Sequence, residues 1–141
     1  MTIAAILRHK GDEIVQATPG MLVRELTALL TQRRIGAVPV VEDGRVVGIL
    51  SERDIIGALA RDGAGALDMA VEAVMTRETI TVTPDTSLLA GLSLMTRRRI
   101  RHLPVCDGDR MIGFVSIGDL VKARIDRIEE EAAALRAYIA A

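Results

Sequence analysis

Aromatic residues are almost missing from this chain of 141 residues: Phe114 and Tyr138 are the only two, and there is no tryptophan. A planar ligand would therefore be gripped by aliphatic side chains and backbone, not stacked on Trp or Tyr. A single cysteine, Cys106, excludes an internal disulfide and any cysteine-based zinc cluster, and leaves a small apolar strand residue as its expected role. His9 and His102 are the only histidines, too few for a His-rich metal site. A net charge of −1 argues against a general nucleic-acid binder. No apolar run reaches the roughly 20 residues of a membrane helix, and the N-terminus lacks a signal-peptide pattern, so a soluble cytoplasmic protein is expected. Walker loop, dinucleotide fingerprint and nucleophile–base pair are all missing, and the chain is read as a non-enzyme.

What is present is a duplication. Half of the residues are hydrophobic, enough for a globular fold. Pro19, Ile35, Pro39, Gly48, Ser51 and Asp54 recur as Pro84, Ile100, Pro104, Gly113, Ser116 and Asp119, each pair 65 positions apart. Thr31/Thr96, Arg33/Arg98, Arg34/Arg99 and Arg45/Arg110 keep the same register. A unit this short buries little surface alone and should pair with its twin about a shared two-fold axis, leaving clefts between them.

Each copy reads strand, helix, strand, strand, helix, an α/β (α+β) pattern. Ile14–Ala17 and Thr79–Val82 are first strands, closed by Thr18-Pro19 and Thr83-Pro84. Leu22, Leu26, Leu29 and Leu30 mark one amphipathic helix; Leu88, Leu92 and Met95 mark its twin. Each ends in arginines, Arg33-Arg34 or Arg97-Arg98-Arg99, which suit the helix C-terminal dipole. Ala37–Val41 and His102–Cys106 are proline-bearing strands, Asp43-Gly44 and Asp107-Gly108 are hairpin turns, and Arg45–Leu50 and Arg110–Val115 return. Short apolar helices at Ile3–Leu7 and Val71–Met75 precede the copies at an offset of 68, so the first copy has three extra residues in its Arg8–Glu13 connector. Arg61–Leu67 reads as the linker. The expected division is a first repeat at 1–62, a second at 63–123 and a helical extension at 124–141.

Ser51-Glu52-Arg53-Asp54 and Ser116-Ile117-Gly118-Asp119 each open a helix. One reading is a capping box that needs no ligand. The other uses the free amides of a helix start, and an aspartate able to accept both hydrogens of a cis-diol, as a ligand site. Paired carboxylate chemistry by Asp54 and Asp119 is disfavoured, because two-fold packing would put them in separate clefts.

These residues together resemble a tandem pair of CBS domains (cystathionine-β-synthase type, or Bateman module). The resemblance covers residues 1–123. It is carried by Val38-Pro39-Val40-Val41, by Leu103-Pro104-Val105, and above all by Gly48–Asp54 and Gly113–Asp119. It implies two pseudo-symmetric repeats whose Gly-x-x-Ser-x-x-Asp segments line clefts for adenosine-type ligands: AMP first, with ADP, ATP, NAD or S-adenosylmethionine also possible. The aspartate would hold the ribose hydroxyls and the serine the ribose or phosphate. The ligand residues so implied are Ser51, Arg53 and Asp54 in one site, and Val82, Arg101, His102, Leu103, Pro104, Ser116, Ile117 and Asp119 in the other. Arg101 and His102 stand where the first copy has Gly36 and Ala37, so the second site is expected to be the better phosphate site. Val15, Ala17, Val38 and Ile35 would wall one cleft, and Ile80, Val82, Leu103 and Ile100 the other. No cofactor is required. The implied partners are the adenosine-type ligand, a second copy in a homodimer and an effector protein acting in trans. The competing reading is a structural dimerisation module without a ligand; binding of nucleic acid through Arg97–Arg101 has least support.

The extension has no twin. Val121, Ile125, Ile128, Ala132, Leu135 and Ile139 step by 4, 3, 4, 3, 4, a heptad seam flanked by Lys122, Arg124, Glu129, Glu131 and Arg136. The seam either folds over its own domain or pairs with another subunit.

Overall fold

The computed structural model describes residues 1–11 and 13–141, so Asp12 of the connector lies outside the described residues. The chain runs α1 (Ile3–Lys10), α2 (Val23–Arg33), β1 (Ala37–Glu42), β2 (Arg45–Ser51), α3 (Glu52–Asp62), a 3₁₀ segment (Gly63–Asp68), α4 (Val71–Val74), α5 (Leu88–Arg98), β3 (His102–Asp107), β4 (Arg110–Ser116) and α6 (Ile117–Ala140). The linker read at Arg61–Leu67 is therefore the end of α3 and most of the 3₁₀ segment.

Duplication in the sequence becomes duplication in space. Two antiparallel hairpins share one register, Ala37 opposite Ser51 and His102 opposite Ser116. Both slip by one residue at matching places, Val40/Val41 and Val105/Cys106. The turns differ. Asp43 and Gly44 both take positive φ (53° and 79°), which suits the right-handed twist of a hairpin. In the second copy the strands are joined by Gly108-Asp109, one residue later than expected, with Gly108 at φ 61°. Helices α2 and α5 both stop at an arginine in the left-handed region, Arg34 (φ 54°) and Arg99 (φ 55°).

The first strand of each repeat contracts to one residue. Ala17 donates to the Pro39 carbonyl (3.0 Å) and accepts from Val41 (2.8 Å); Val82 does the same with Pro104 and Cys106 (3.0 and 2.8 Å). The next rung of a parallel ladder would need an N–H from Pro39 or Pro104, and proline has none. The prolines therefore end the pairing that the β-branched residues would otherwise extend.

The two cores exchange their leading helices. Ile3 and Ile6 of α1 pack with Leu88, Met95, Leu103, Val105, Val115 and Leu120 of the second repeat. Val71, Val74 and Met75 around α4 pack with Val23, Leu26, Leu30, Val38 and Leu50 of the first. Backbone bonds fix both exchanges: Ile3 N–H to the Thr86 carbonyl (2.9 Å) and Val71 N–H to the Met21 carbonyl (2.7 Å). Each leading helix thus completes the other repeat's core, so sequence repeats and packed cores do not coincide. Each fully buried aliphatic side chain contributes about 1.5–3 kcal/mol, which ties the halves into one cooperative unit. Helix α6 crosses residues 123 and 124 without a break. No helix among the described residues is long and apolar enough to cross a membrane.

Candidate functional site

Both Ser-x-x-Asp segments form complete capping boxes. Ser51 N–H donates to Asp54 Oδ2 (2.9 Å) while Asp54 N–H donates to Ser51 Oγ (3.3 Å). Ser116 N–H donates to Asp119 Oδ2 (2.8 Å), and Asp119 N–H returns to Ser116 Oγ (3.1 Å). The serines sit at strand ends and the aspartates in the first helical turn, so strand-to-helix geometry alone aims both side chains at the same place.

The copies differ in what reaches these aspartates from outside. In the first repeat the chain after α4 lies along the outer edge of β2. Ile49 and Thr76 exchange N–H···O bonds of 2.9 Å each way, and Thr76 Oγ1 donates to Asp54 Oδ1 (3.0 Å). Gly48 makes this approach possible: a Cβ there would lie 2.9 Å from the Thr76 carbonyl oxygen and 2.5 Å from Met75 Sδ. The glycine serves the chain itself. In the second repeat α1 is four residues longer than α4, and its last residue, Lys10, does the work of both Thr76 donors. Its ammonium donates to the Phe114 carbonyl (2.8 Å) and to Asp119 Oδ2 (2.7 Å). Here the extra connector length is spent as helix, and a cation replaces a hydroxyl and an amide.

This difference leaves the aspartates unequal. Both Asp54 oxygens have partners. Asp119 holds its partners on Oδ2, and Oδ1 has no hydrogen-bond partner among the described residues. Burial pushes the Asp119 carboxyl up, but the Lys10 ammonium and the Ser116 amide outweigh it, holding the group below the usual carboxylate range.

A cleft of about 340 Å³ opens beside Asp119 and lies between the repeats. The second repeat contributes His102, Gly113, Phe114, Ser116 and Asp119, and the first contributes Ile14, Val15, Ile35, Gly36 and Ala37. Lys10 and Arg34 supply cationic groups and Glu13 an acidic one. The His102 ring lies on Phe114, with centroids 5.5 Å apart and planes within 11°. Burial lowers the His102 pKa below the ordinary histidine value, aided by Lys10 and Arg101 against the pull of Asp119 and Glu52.

The CBS domain model matches the chain twice, at residues 6–61 and 71–126. The chain belongs to the CBS-domain family. The mitochondrial CBS domain-containing protein CBSX3 of Arabidopsis thaliana is 37% identical over 147 residues, covering 98% of this chain and 71% of the plant protein. The crystal structure of the CBS-domain containing protein ATU1752 from Agrobacterium tumefaciens superposes with a TM-score of 0.83 at 36% identity, covering 88% of this chain and 99% of that one. The CBS domain pair of protein MJ0100, solved with 5′-methylthioadenosine and S-adenosyl-L-methionine, superposes at 0.78 with 26% identity, covering 90% of this chain and 98% of that one.

Within the CBS pair, the residues singled out in the sequence divide sharply. Ser116, Asp119 and His102 meet at the cleft. Ser51 and Asp54 form the other box, outside this cleft, and Arg53 beside them is exposed. Val82 and Leu103 are core residues, 6% and 0% exposed, and Pro104 is buried; none of them lines the cleft. Ile117 packs against the second core, and Arg101 is solvent-exposed. Of the two basic residues offered for the second site, His102 lines the cleft and Arg101 is solvent-exposed; Lys10 and Arg34 line the cleft as well. Val15 and Ile35 face Asp119 of the other repeat, and Ala17 and Val38 are core. Lys10 was the missed residue. Its signal was the offset of 68 against 65, which one added helical turn explains.

Proposed function

We propose that this CBS pair is a regulatory module that binds an adenosine-type nucleotide in the cleft beside Asp119 and passes the occupied state to an effector protein. The observation that carries this reading is the unpartnered Asp119 Oδ1 in a cleft of about 340 Å³, within the range of small-molecule sites. A ribose diol would donate to that carboxylate. Ile14, Val15, Ile35 and the His102–Phe114 stack offer an apolar wall for a base. Lys10 and Arg34 supply charge for a phosphate, which favours AMP over S-adenosylmethionine; NAD and ATP share the same chemistry. The ligands named with protein MJ0100 support an adenosine-type class. Ser51 and Asp54 are a weaker second site, since a ligand there must displace Thr76.

A homodimer is part of the proposal. It is supported by apolar side chains exposed at twin positions of the helices that follow each hairpin, Ile56 on α3 (66%) and Val121 on α6 (41%). Cytoplasmic location is also proposed; fractionation tests it, with the mitochondrion as the competing outcome.

The two complete capping boxes favour one other reading, a structural dimer without a ligand. Calorimetric titration of refolded, ligand-free protein with AMP, ATP, NAD and S-adenosylmethionine separates them. Micromolar binding that is lost in Asp119→Ala and kept in Asp54→Ala supports the sensor. At 100 times its dissociation constant the ligand should add about 2.7 kcal/mol of stability. No heat from a folded dimer would leave only the caps.

A further inference from the structure

Helix α6 has 24 residues, of which only Leu120 is buried. Its seam is bare along its whole length: Val121, Ile125, Ile128, Leu135 and Ile139 are 41–73% exposed, and only Ala132 is half-buried. The helix does not fold back over its own domain. An apolar stripe of three heptads with nothing on it needs a partner, and the charges beside it specify which one.

In heptad terms Ile125, Ala132 and Ile139 occupy a, and Val121, Ile128 and Leu135 occupy d. The e positions are then Lys122, Glu129 and Arg136, and the g positions Arg124, Glu131 and Tyr138. When two copies lie parallel and in register, each g faces the next e of its partner. Arg124 then meets Glu129 and Glu131 meets Arg136, and the two-fold axis repeats both attractions. When the copies lie antiparallel with the seams overlapped, e faces e and g faces g. Lys122 then meets Arg136, Glu129 meets its own copy and so does Glu131, and all of these repel. A membrane surface is a poorer occupant. The exposed part of the helix carries four acids (Asp126, Glu129, Glu130, Glu131) against four bases (Lys122, Arg124, Arg127, Arg136), so it has no basic face for anionic lipid.

We infer that α6 pairs with α6 of a second copy as a parallel, in-register two-helix coil, which sets second repeat beside second repeat. This rests on the proposed homodimer and fixes its direction; it does not depend on any nucleotide, so failure of the titrations above leaves it standing.

Oxidative cross-linking tests it on the full chain in a Cys106→Ser background, with light scattering as the reading of mass. Ile139→Cys should form a disulfide-linked dimer readily, because equivalent a positions adjoin in a parallel coil. Reversing one charge, Arg124→Glu, should weaken the dimer about ten-fold, since two symmetric attractions become repulsions, and adding Glu129→Arg should restore it. A dimer that gives no 139–139 link, a monomer, a larger assembly, or a charge swap that fails to restore affinity would each overturn the inference.

Discussion

Replacing Lys10 by methionine keeps the aliphatic stem and removes the ammonium that holds Asp119 Oδ2 at 2.7 Å and the Phe114 carbonyl at 2.8 Å. The side chains of Lys10 and Asp119 are 36% and 27% exposed, so solvent screens part of the ion pair. A charge-assisted bond at such a half-open site contributes about 1 kcal/mol, and the carbonyl left without its donor adds about 0.5 kcal/mol. The expected loss is about 1.5 kcal/mol, or about 5 °C in Tm for a chain of this size. Urea unfolding at pH 7 reads it directly, provided the slope is unchanged. The pH dependence has a definite sign. The folded Asp119 pKa is depressed, so its contribution is complete above the ordinary aspartate value of about 3.9 and fades as pH falls through the folded value. Without Lys10 the upward push of burial is less opposed, and the fading begins at higher pH. The gap between wild type and variant should therefore be full near neutrality and should shrink in strong acid. Equal stability at pH 7, or a deficit that persists unchanged at pH 3, would refute the role given to Lys10.

Gly48→Ala should cost more than Gly113→Ala in the same urea assay, about 2–3 against about 1 kcal/mol, because a Cβ at 48 meets the Thr76 backbone whereas one at 113 meets only the movable end of Leu7. A reversed order would mean that the edge contact to Thr76 is dispensable. Arg99→Gly should stabilise by about 0.5 kcal/mol, since relief of the left-handed backbone at φ 55° exceeds the loss of a solvated cation at the helix end; a lowered Tm would contradict this. The His102 ring resonances should titrate below the ordinary histidine value of about 6.5, and the midpoint should rise in Lys10→Met as one cationic neighbour disappears. An unmoved midpoint would separate His102 from Lys10.

The fold was legible in the sequence wherever residue identity alone decides it. Ser51 and Asp54, repeated at Ser116 and Asp119, marked both helix starts, and the shared spacing marked both hairpins. What was illegible depends on partners distant in the chain. Ile14–Ala17 and Thr79–Val82 have strand composition, but the donor they lack is on Pro39 or Pro104, two segments away. Val82 and Leu103 match a ligand-contact pattern and a core pattern equally well, and only packing shows them to be core. Val15 and Ile35 line the cleft beside Asp119 of the other repeat, a juxtaposition that no single repeat encodes. Lys10 became visible once the added helical turn placed it over β4, although the three-residue difference in offset had already marked the connector as the place where the copies part.

The capping box at Ser116 and Asp119 is also the first turn of α6, so the carboxylate beside the cleft and the apolar seam belong to one rigid element. At 1.5 Å per residue its 24 residues extend about 36 Å. Under the proposed sensor function, the helix would act as a lever whose first turn lies at the cleft. A tilt of about 5° at the first turn carries its last residue about 3 Å, half the separation of neighbouring turns, so a displacement too small to repack the core becomes one large enough to shift a helix against its neighbour.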